Sequence, residues 1–413
     1  MISRTYDFAF LAVLSLSVSV ATAAQAQYVG SVDEKSVIES YNKTGFNLFL
    51  TRKSKPGNVL LSPFSIGTAM SMTYAGARGS TRIEMAKALN LNATGDNINV
   101  ANNAIANKLT STAKKGGGSL DIANGLCLTS RPEMVQKTFR RLMTANYNAE
   151  VFNGTSVTPI NAWVSKKTNG KIDSILTQLT ANSVCVLLNA ISFKGVWVTP
   201  FDKTLTRNEP FGSTKSDSVT ARMMRITTKM PFFRGEGFSA VSVPYNSGFQ
   251  SMVILLPEKR DGLASLESSL TFEKLQSLIY SLSIERQQKV ALSLPKFKMA
   301  SGQDLIPPFK SLGMHLAFSQ TKSDFSGISG HQNQLGELYL SQIKHQATIE
   351  TDEAGSVATA ATAVEMATRG VSITTPFHAD HPFLFCITDK STGAILFMGR
   401  MANPQEKSTA ISK

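Results

Sequence analysis

Between Glu353 and Phe377 the chain reads Glu-Ala-Gly-Ser-Val-Ala-Thr-Ala-Ala-Thr-Ala-Val-Glu-Met-Ala-Thr-Arg-Gly-Val-Ser-Ile-Thr-Thr-Pro-Phe, and its first half holds neither a large side chain nor a proline. That composition fits neither a packed core helix nor a turn-rich loop. Drawn out as a strand, it puts Ser356, Ala358, Ala360, Thr362, Val364 and Met366 on one face, all small or apolar and none charged. Val357, Thr359, Ala361, Ala363 and Glu365 take the opposite face, where water is tolerable. Thr and Val favour a strand against the helix-favouring alanines. A lone Arg369 follows, beside Gly370, and an exposed arginine in a flexible segment is what a trypsin-like protease cuts. Alone, the stretch reads equally as a Thr/Ala linker, so its neighbours decide.

Those neighbours belong to a chain of 413 residues, enough for one large domain or two smaller ones. With 42% hydrophobic and 17% charged residues, it can bury a substantial core. Arg4 precedes an apolar run from Phe8 to Val20, and Ala24-Gln25-Ala26 offers the small residues of a cleavage site, so residues 1–26 read as a signal peptide. The run is too short to anchor in a bilayer, and no later stretch is long enough. An exported protein is expected, extracellular or, in a Gram-negative bacterium, periplasmic. Cys127, Cys185 and Cys386 sit in apolar, strand-like runs, and an odd count without paired spacing points to buried free thiols. The net charge of +13 is scattered in pairs such as Arg140-Arg141 and Lys114-Lys115, which suits a solvated surface; a polyanion such as a glycosaminoglycan is the alternative, and nucleic acid is not expected. Asn42, Asn92 and Asn153 stand in glycosylation sequons.

Taken in order, Ser31-x-x-Glu34 is a capping box that starts a helix through Ile38, Tyr41, Leu48 and Phe49. Ser62 caps a second helix with Pro63 in its first turn, ending at Gly76. Thr81-x-x-Glu84 predicts a third. From Asn92 to Ser119 the sequence is polar and weakly helical, closing in three glycines. Strands are expected at 120–129, 184–193, 241–245, 251–256, 290–294, 346–351, 383–388 and 394–398, the last two joined by a hairpin at Asp389–Gly393. Helices are expected at 160–176, stopped early by Asn169-Gly170, and at 272–283 and 305–312. Helices first and strands later, without regular alternation, indicate an α+β domain. No repeat or composition break divides residues 27–413, which read as one domain.

Enzymatic constellations are missing. There is no G-x-S-x-G, H-E-x-x-H, Walker loop or G-x-G-x-x-G. Of five histidines only His378 and His381 cluster, with Asp380, at a strand start, where a structural role outweighs a metal site needing three or four ligands. The chain is expected to be neither an enzyme nor a cofactor or metal binder.

Six segments in order carry a family likeness. They are Asn58-Val-Leu-Leu-Ser-Pro-Phe-Ser-Ile with Gly76-Ala-Arg-Gly-Ser-Thr; Leu188-Asn-Ala-Ile-Ser-Phe-Lys-Gly-Val-Trp; Leu294-Pro-Lys-Phe; Asp324-Phe-Ser-Gly; Glu353-Ala-Gly-Ser; and Phe377-His-Ala-Asp-His-Pro-Phe-Leu-Phe, closed by Gly399-Arg-Met-Ala-Asn-Pro. On these the sequence resembles the serpins across nearly the whole mature chain. The resemblance implies three β-sheets with about nine helices, and a reactive-centre loop at about 353–377 held outside a metastable fold. It implies a monomer that traps a serine protease covalently as a suicide substrate, inserting the cut loop as a new strand in the largest sheet.

Counting on the family pattern from Glu353 puts the scissile bond at Arg369-Gly370. A guanidinium suits a deep pocket with a carboxylate at its base, so a trypsin-like protease is the expected partner. The hinge comprises Glu353, Gly355, Ser356, Ala358, Thr359, Ala360 and Ala361, and its glycine and alanines permit rapid rearrangement. Ser62, Ser65, Asn189 and His345 match the family's polar cluster beneath the opening strands, Trp197 the aromatic at the top of the opening, and Lys296 a partner for Glu353. A non-inhibitory serpin acting as carrier, chaperone or receptor ligand is the alternative; it usually carries a broken hinge, and this hinge is intact.

Overall fold

Ser31 begins the first helix as its spacing to Glu34 predicts: α1 (Val32–Leu50) has the Ser31 hydroxyl accepting from the Glu34 amide at 3.2 Å. The other half of the capping box is not formed, because the Glu34 carboxylate turns to Lys108 at 2.8 Å. In this computed structural model residues 31–92, 95–130, 132–180, 183–212, 217–331, 334–354 and 373–406 are described. The expected signal peptide, the Arg369-Gly370 bond and the hinge residues Gly355, Ser356, Ala358, Thr359, Ala360 and Ala361 lie outside the described residues.

After β1 (Val59–Leu61), Ser62 caps α2 (Pro63–Gly76), with Pro63 in the first turn where its missing N–H costs nothing. Nearly every residue of α2 is buried, as expected of a helix apolar all round. One helical expectation is corrected and another is exceeded. First, α3 (Gly79–Ala88) starts ahead of Thr81, and no capping box forms. Instead, Thr81 Oγ1 accepts from the Asp324 amide at 2.9 Å, and Glu84 accepts from the amides of His315 and Leu316. Distant backbone donors have outcompeted the local cap. Second, the polar stretch after Asn92 is a full helix, α4 (Gly95–Lys115). Ile98, Ala101, Ile105 and Leu109 form its buried stripe. The asparagines that disguise this pattern are themselves buried against tyrosines: Asn102 Nδ2 lies 2.8 Å from Tyr41 Oη and Asn99 Oδ1 accepts from Tyr147 Oη at 2.5 Å.

The remaining helices are α5 (Lys137–Tyr147), α6 (Val157–Lys167), α7 (Leu263–Ser269), α8 (Phe272–Ile284), α9 (Ile306–Ser311) and α10 (Ser326–Ser329). Ten α-helices therefore stand among the described residues, close to the nine implied. Asn169 and Gly170 both take positive φ just past α6, as expected of a stop signal.

Strands β2 (Ser119–Leu128), β3 (Ala149–Asn153), β4 (Cys185–Lys194), β11 (Phe297–Asp304) and β12 (Leu340–Thr351) make a five-stranded sheet in the order β11-β12-β4-β2-β3. A four-stranded sheet, β13-β10-β6-β5, joins β5 (Arg207–Gly212), β6 (Ser218–Met230), β10 (Gln288–Pro295) and β13 (Thr375–His378). The third sheet, β1-β15-β14-β9-β8-β7, adds β7 (Phe232–Arg234), β8 (Phe238–Pro244), β9 (Gln250–Pro257), β14 (Phe383–Asp389) and β15 (Ala394–Met401). Three sheets with helices packed on them bear out the α+β expectation.

β4 shows how the core is divided. Cys185, Leu187, Ile191 and Phe193 enter the main core, while Val186, Leu188 and Ala190 enter a second one beneath α6 with Ile160 and Val164. Alternation along a strand buried on both faces produces this division. It also decides where Asn189 points, since it shares parity with the main-core residues. All three cysteines are buried and unpaired, and burial pushes the Cys127 and Cys386 thiols up to about 12. Asn42 is buried too: its Nδ2 donates to Gly393 O at 2.8 Å and its Oδ1 accepts from the Ile395 amide at 2.9 Å. That sequon is structural, unlike those of exposed Asn92 and Asn153.

Candidate functional site

The five-stranded sheet contains a seam. β4 and β12 lie side by side in parallel, paired from Cys185 with Leu340 to Phe193 with Ile349. Each has an antiparallel neighbour on its other side, β2 for β4 and β11 for β12. Residues 355–372 then join β12 in this sheet to β13 in the four-stranded one. A chain turning back from the end of β12 runs antiparallel to it, and therefore also antiparallel to β4. The seam is thus the one place in this sheet where that segment, inserted, makes two antiparallel ladders at once, the more stable pairing per residue.

Beneath the seam sits a polar cluster in an otherwise apolar core. Ser62 Oγ accepts from the Ser65 amide at 3.1 Å, and the Ser62 amide donates to His345 Nε2 at 3.2 Å. Since Nε2 accepts, the proton of the neutral ring is on Nδ1, which donates to Asn189 Oδ1 at 2.6 Å. Asn189 Nδ2 in turn donates to Ser65 Oγ at 2.6 Å and Asn124 Oδ1 at 2.8 Å. His345 is fully buried, and desolvation lowers its pKa from 6.5 to about 3. The cluster thereby ties α2 to both strands of the seam through neutral hydrogen bonds. On β12 itself, the hydroxyls of Thr348 and Thr351 and the side-chain oxygen of Gln346 are buried without a protein partner. Unpartnered buried groups cost roughly 1–3 kcal/mol each, so the seam strand is not at its polar optimum.

At the upper end of the seam the chain is clamped. Glu353 is only 3% exposed, and its carboxylate accepts from Lys296 Nζ at 2.8 Å and Thr206 Oγ1 at 3.1 Å, with Arg222 3.8 Å away. Burial alone raises its pKa, but the hydrogen bonds outweigh burial and hold the carboxyl below the ordinary range. The Glu353 carbonyl accepts from the Phe201 amide at 2.8 Å. Trp197 Nε1 donates to Asp352 O at 2.9 Å, while its ring stacks on Tyr245 at 4.3 Å and meets Phe201 edge-on at 5.9 Å. The bend that delivers Trp197 needs Gly195, where a Cβ would stand 2.4 Å from the Tyr245 ring.

A family model described as serpin (serine protease inhibitor) matches residues 39–404. The chain belongs to the serpin family. Among curated serpins it is 34% identical to Iripin-1 of the tick Ixodes ricinus over 372 residues, covering 87% of this chain and 93% of the tick protein. It is 33% identical to the bovine leukocyte elastase inhibitor, covering 86% and 96% of the two chains. Among solved serpins, the native stressed conformation of Arabidopsis AtSerpin1 superposes with a TM-score of 0.80 at 26% identity, covering 91% of this chain and all 100% of that one. Human thyroxine-binding globulin complexed with thyroxine superposes with a TM-score of 0.80 at 25% identity, over 91% of this chain and 100% of its own.

Within this serpin the structure brings Ser62, Ser65, Asn189 and His345 together in one network, and Trp197 and Lys296 together at Glu353. Three participants escaped the sequence reading. Asn124 was legible as a lone amide inside the apolar strand Leu120–Leu128. Thr206 and Arg222 carry no such signal, since they reach Glu353 only through the third dimension. The His378-Asp380-His381 group is structural: His381 Nδ1 lies 2.8 Å from Asp380 Oδ1 and Nε2 2.8 Å from Pro257 O, so both ring nitrogens are used.

Proposed function

We propose that this serpin is a suicide-substrate inhibitor of trypsin-like serine proteases, cut at Arg369-Gly370 and active outside the cell that makes it. The observation that carries the reading is the closed parallel seam between β4 and β12, with Glu353 clamped at its end. In the proposed reaction the protease's serine oxygen attacks the Arg369 carbonyl, an ester forms, and the Gly370 amine leaves. Glu353 then releases its clamp. The residues beyond it enter the seam with the face Ser356, Ala358, Ala360, Thr362, Val364 and Met366 toward the core, burying no charge. The ester travels with the inserted strand, and the protease's catalytic groups are distorted before water hydrolyses it.

Mixing the purified protein with trypsin tests this directly. The expected result is an SDS-resistant complex together with a released peptide whose mass begins at Gly370. Cleavage without a complex overturns it. The likeness to thyroxine-binding globulin favours a carrier as the second reading. In that case cutting the loop leaves the melting temperature nearly unchanged, whereas insertion raises it sharply. A polyanion accelerator is proposed on the net charge of +13 and the likeness, at a TM-score of 0.77 and 26% identity, to native protease nexin-1 with heparin. Retention on heparin that falls steeply with salt supports it, and elution with a size-matched basic control rules it out.

A further inference from the structure

Beside the seam a cavity of about 280 Å³ opens between α2, α4, β2 and the end of α5. Its lining is unusual for the edge of a protein core, because six asparagines contribute to it: 102, 103 and 107 from α4, 124 from β2, and 146 and 148 from the end of α5. Two of these amides are spent inside the protein, Asn102 on Tyr41 and Ile98 O and Asn124 on Asn189 and Tyr147 O, and the Asn146 nitrogen donates to Leu142 O. The Asn146 oxygen and the amides of Asn103, Asn107 and Asn148 face the opening, and since an amide carries both donors and acceptors they match a ligand bearing several hydroxyls. On the floor, Thr68 is 3% exposed and its hydroxyl has no partner. At the mouth, Asn107 Nδ2 donates to Asn103 Oδ1 at 3.0 Å, which commits one group of each amide and leaves the Asn103 nitrogen and the Asn107 oxygen available.

Charge narrows the class. The two ionised residues in the lining are both spent elsewhere: Asp121 on Lys171 at 2.5 Å, and Lys167 on Glu150 at 2.5 Å. The cavity therefore presents no uncompensated ion to pair with an anion or a cation. Phe64 and Leu120 supply an apolar patch for the C–H face of a ring. The volume falls just under the roughly 300–1,000 Å³ of drug-sized sites, which suits one or two sugar rings. From these observations we infer that the cavity is a binding site for a neutral, polyhydroxylated ligand of the sugar or polyol class.

Its position gives such a ligand an effect. Asn124 lines the cavity and also accepts from Asn189 in the seam cluster. A ligand held by both β2 and the helices α2 and α4 ties β2 to them, and β2 is paired to β4, the strand that must move away from β12. This second consequence rests on the inhibitory reading, whereas the binding itself does not.

Calorimetric titration and saturation-transfer NMR of the full chain with D-glucose and maltose at millimolar concentration, with glucose 6-sulfate as the anionic comparator, test the site. The expected result is saturable binding of a neutral sugar, weakened at least tenfold by Asn107→Leu and by Thr68→Val. Asn107→Leu lies on the exposed rim and should leave the melting temperature unchanged, so loss of binding there is not loss of folding. No saturable binding of either neutral sugar, binding of the sulfate alone, or binding indifferent to both substitutions overturns the inference. If the sugar binds, the number of inhibitor molecules consumed per trypsin trapped should at least double at saturation. Binding without that change sinks the coupling and leaves the site standing.

Discussion

His345 and Asn189 stand opposite one another in the register between β12 and β4, with His345 Nδ1 2.6 Å from Asn189 Oδ1. This hydrogen bond crosses the seam that an inserting strand would have to part in the proposed inhibitory reaction. It is made by a neutral ring whose other nitrogen is held by the Ser62 amide, so protonation at Nε2 removes an acceptor from the capped start of α2.

The pH dependence follows. Burial lowers the His345 pKa from 6.5 to about 3, so below pH 6.5 the unfolded chain binds a proton that the native state refuses. The contribution is fully present above 6.5 and is lost as pH falls toward 3. At about 1.4 kcal/mol per pH unit, the native state gives up about 2 kcal/mol between pH 6.5 and 5 through this residue. Urea midpoints of native protein and of His345→Gln at both pH values check it. The variant should lose that much less over the interval, and equal slopes would show that another group governs the acid response.

Lys296→Ala leaves Glu353, 3% exposed, with only Thr206 and a distant Arg222. Lys296 is itself a third exposed, so the loss is expected near 1 kcal/mol and not at the 3–5 kcal/mol of a fully buried pair. The larger effect is kinetic. A freed hinge should shorten the half-life of inhibitory activity at a fixed temperature several-fold, and Lys296→Arg should restore it. Identical half-lives would remove the clamp from the mechanism.

What the sequence made legible follows the range of the interactions. The Ser62 cap is local, its partner being three residues away, and its pattern was readable. The Asn189–His345 bond spans 156 positions and was reached only through the family resemblance. α4 was underread because Asn99 and Asn102 look like surface residues until Tyr147 and Tyr41 are placed against them. β6 was missed because Arg222, Arg225 and Lys229 interrupt its apolar positions, although buried Met223, Met224 and Met230 anchor it. In each case a tertiary partner supplied what local pattern withheld.

Of the three sequons, Asn42 should carry no glycan in the folded protein. Its amide donates to Gly393 O and accepts from the buried Ile395 N–H, so neither end of it is free to carry a sugar. In a glycosylating host, peptide mass mapping should find glycans at Asn92, Asn153 or both, and none at Asn42. By the same contacts Asn42→Ala should cost about 1–3 kcal/mol, from the buried groups left unsatisfied. A glycan mapped to Asn42 in active protein would refute the structural assignment.

Substitution of Arg369 separates bait from spring. A trypsin-like pocket recognises a guanidinium through a charge-assisted pair, and a site built around a polar contact rejects a substrate lacking it by on the order of 10⁴–10⁵. Arg369→Met should therefore lower the rate of complex formation with trypsin by several orders of magnitude. The seam and its clamp, formed by His345, Asn189, Lys296 and Glu353, are untouched by that change. The same variant should then form SDS-resistant complexes with a chymotrypsin-like enzyme, whose apolar pocket accepts methionine, and its cut form should show the same rise in melting temperature as the parent. Trypsin trapping at the parental rate would move the scissile bond away from Arg369. Loss of trapping by both enzymes, with the loop cut at position 369, would mean that the arginine does more than select the protease.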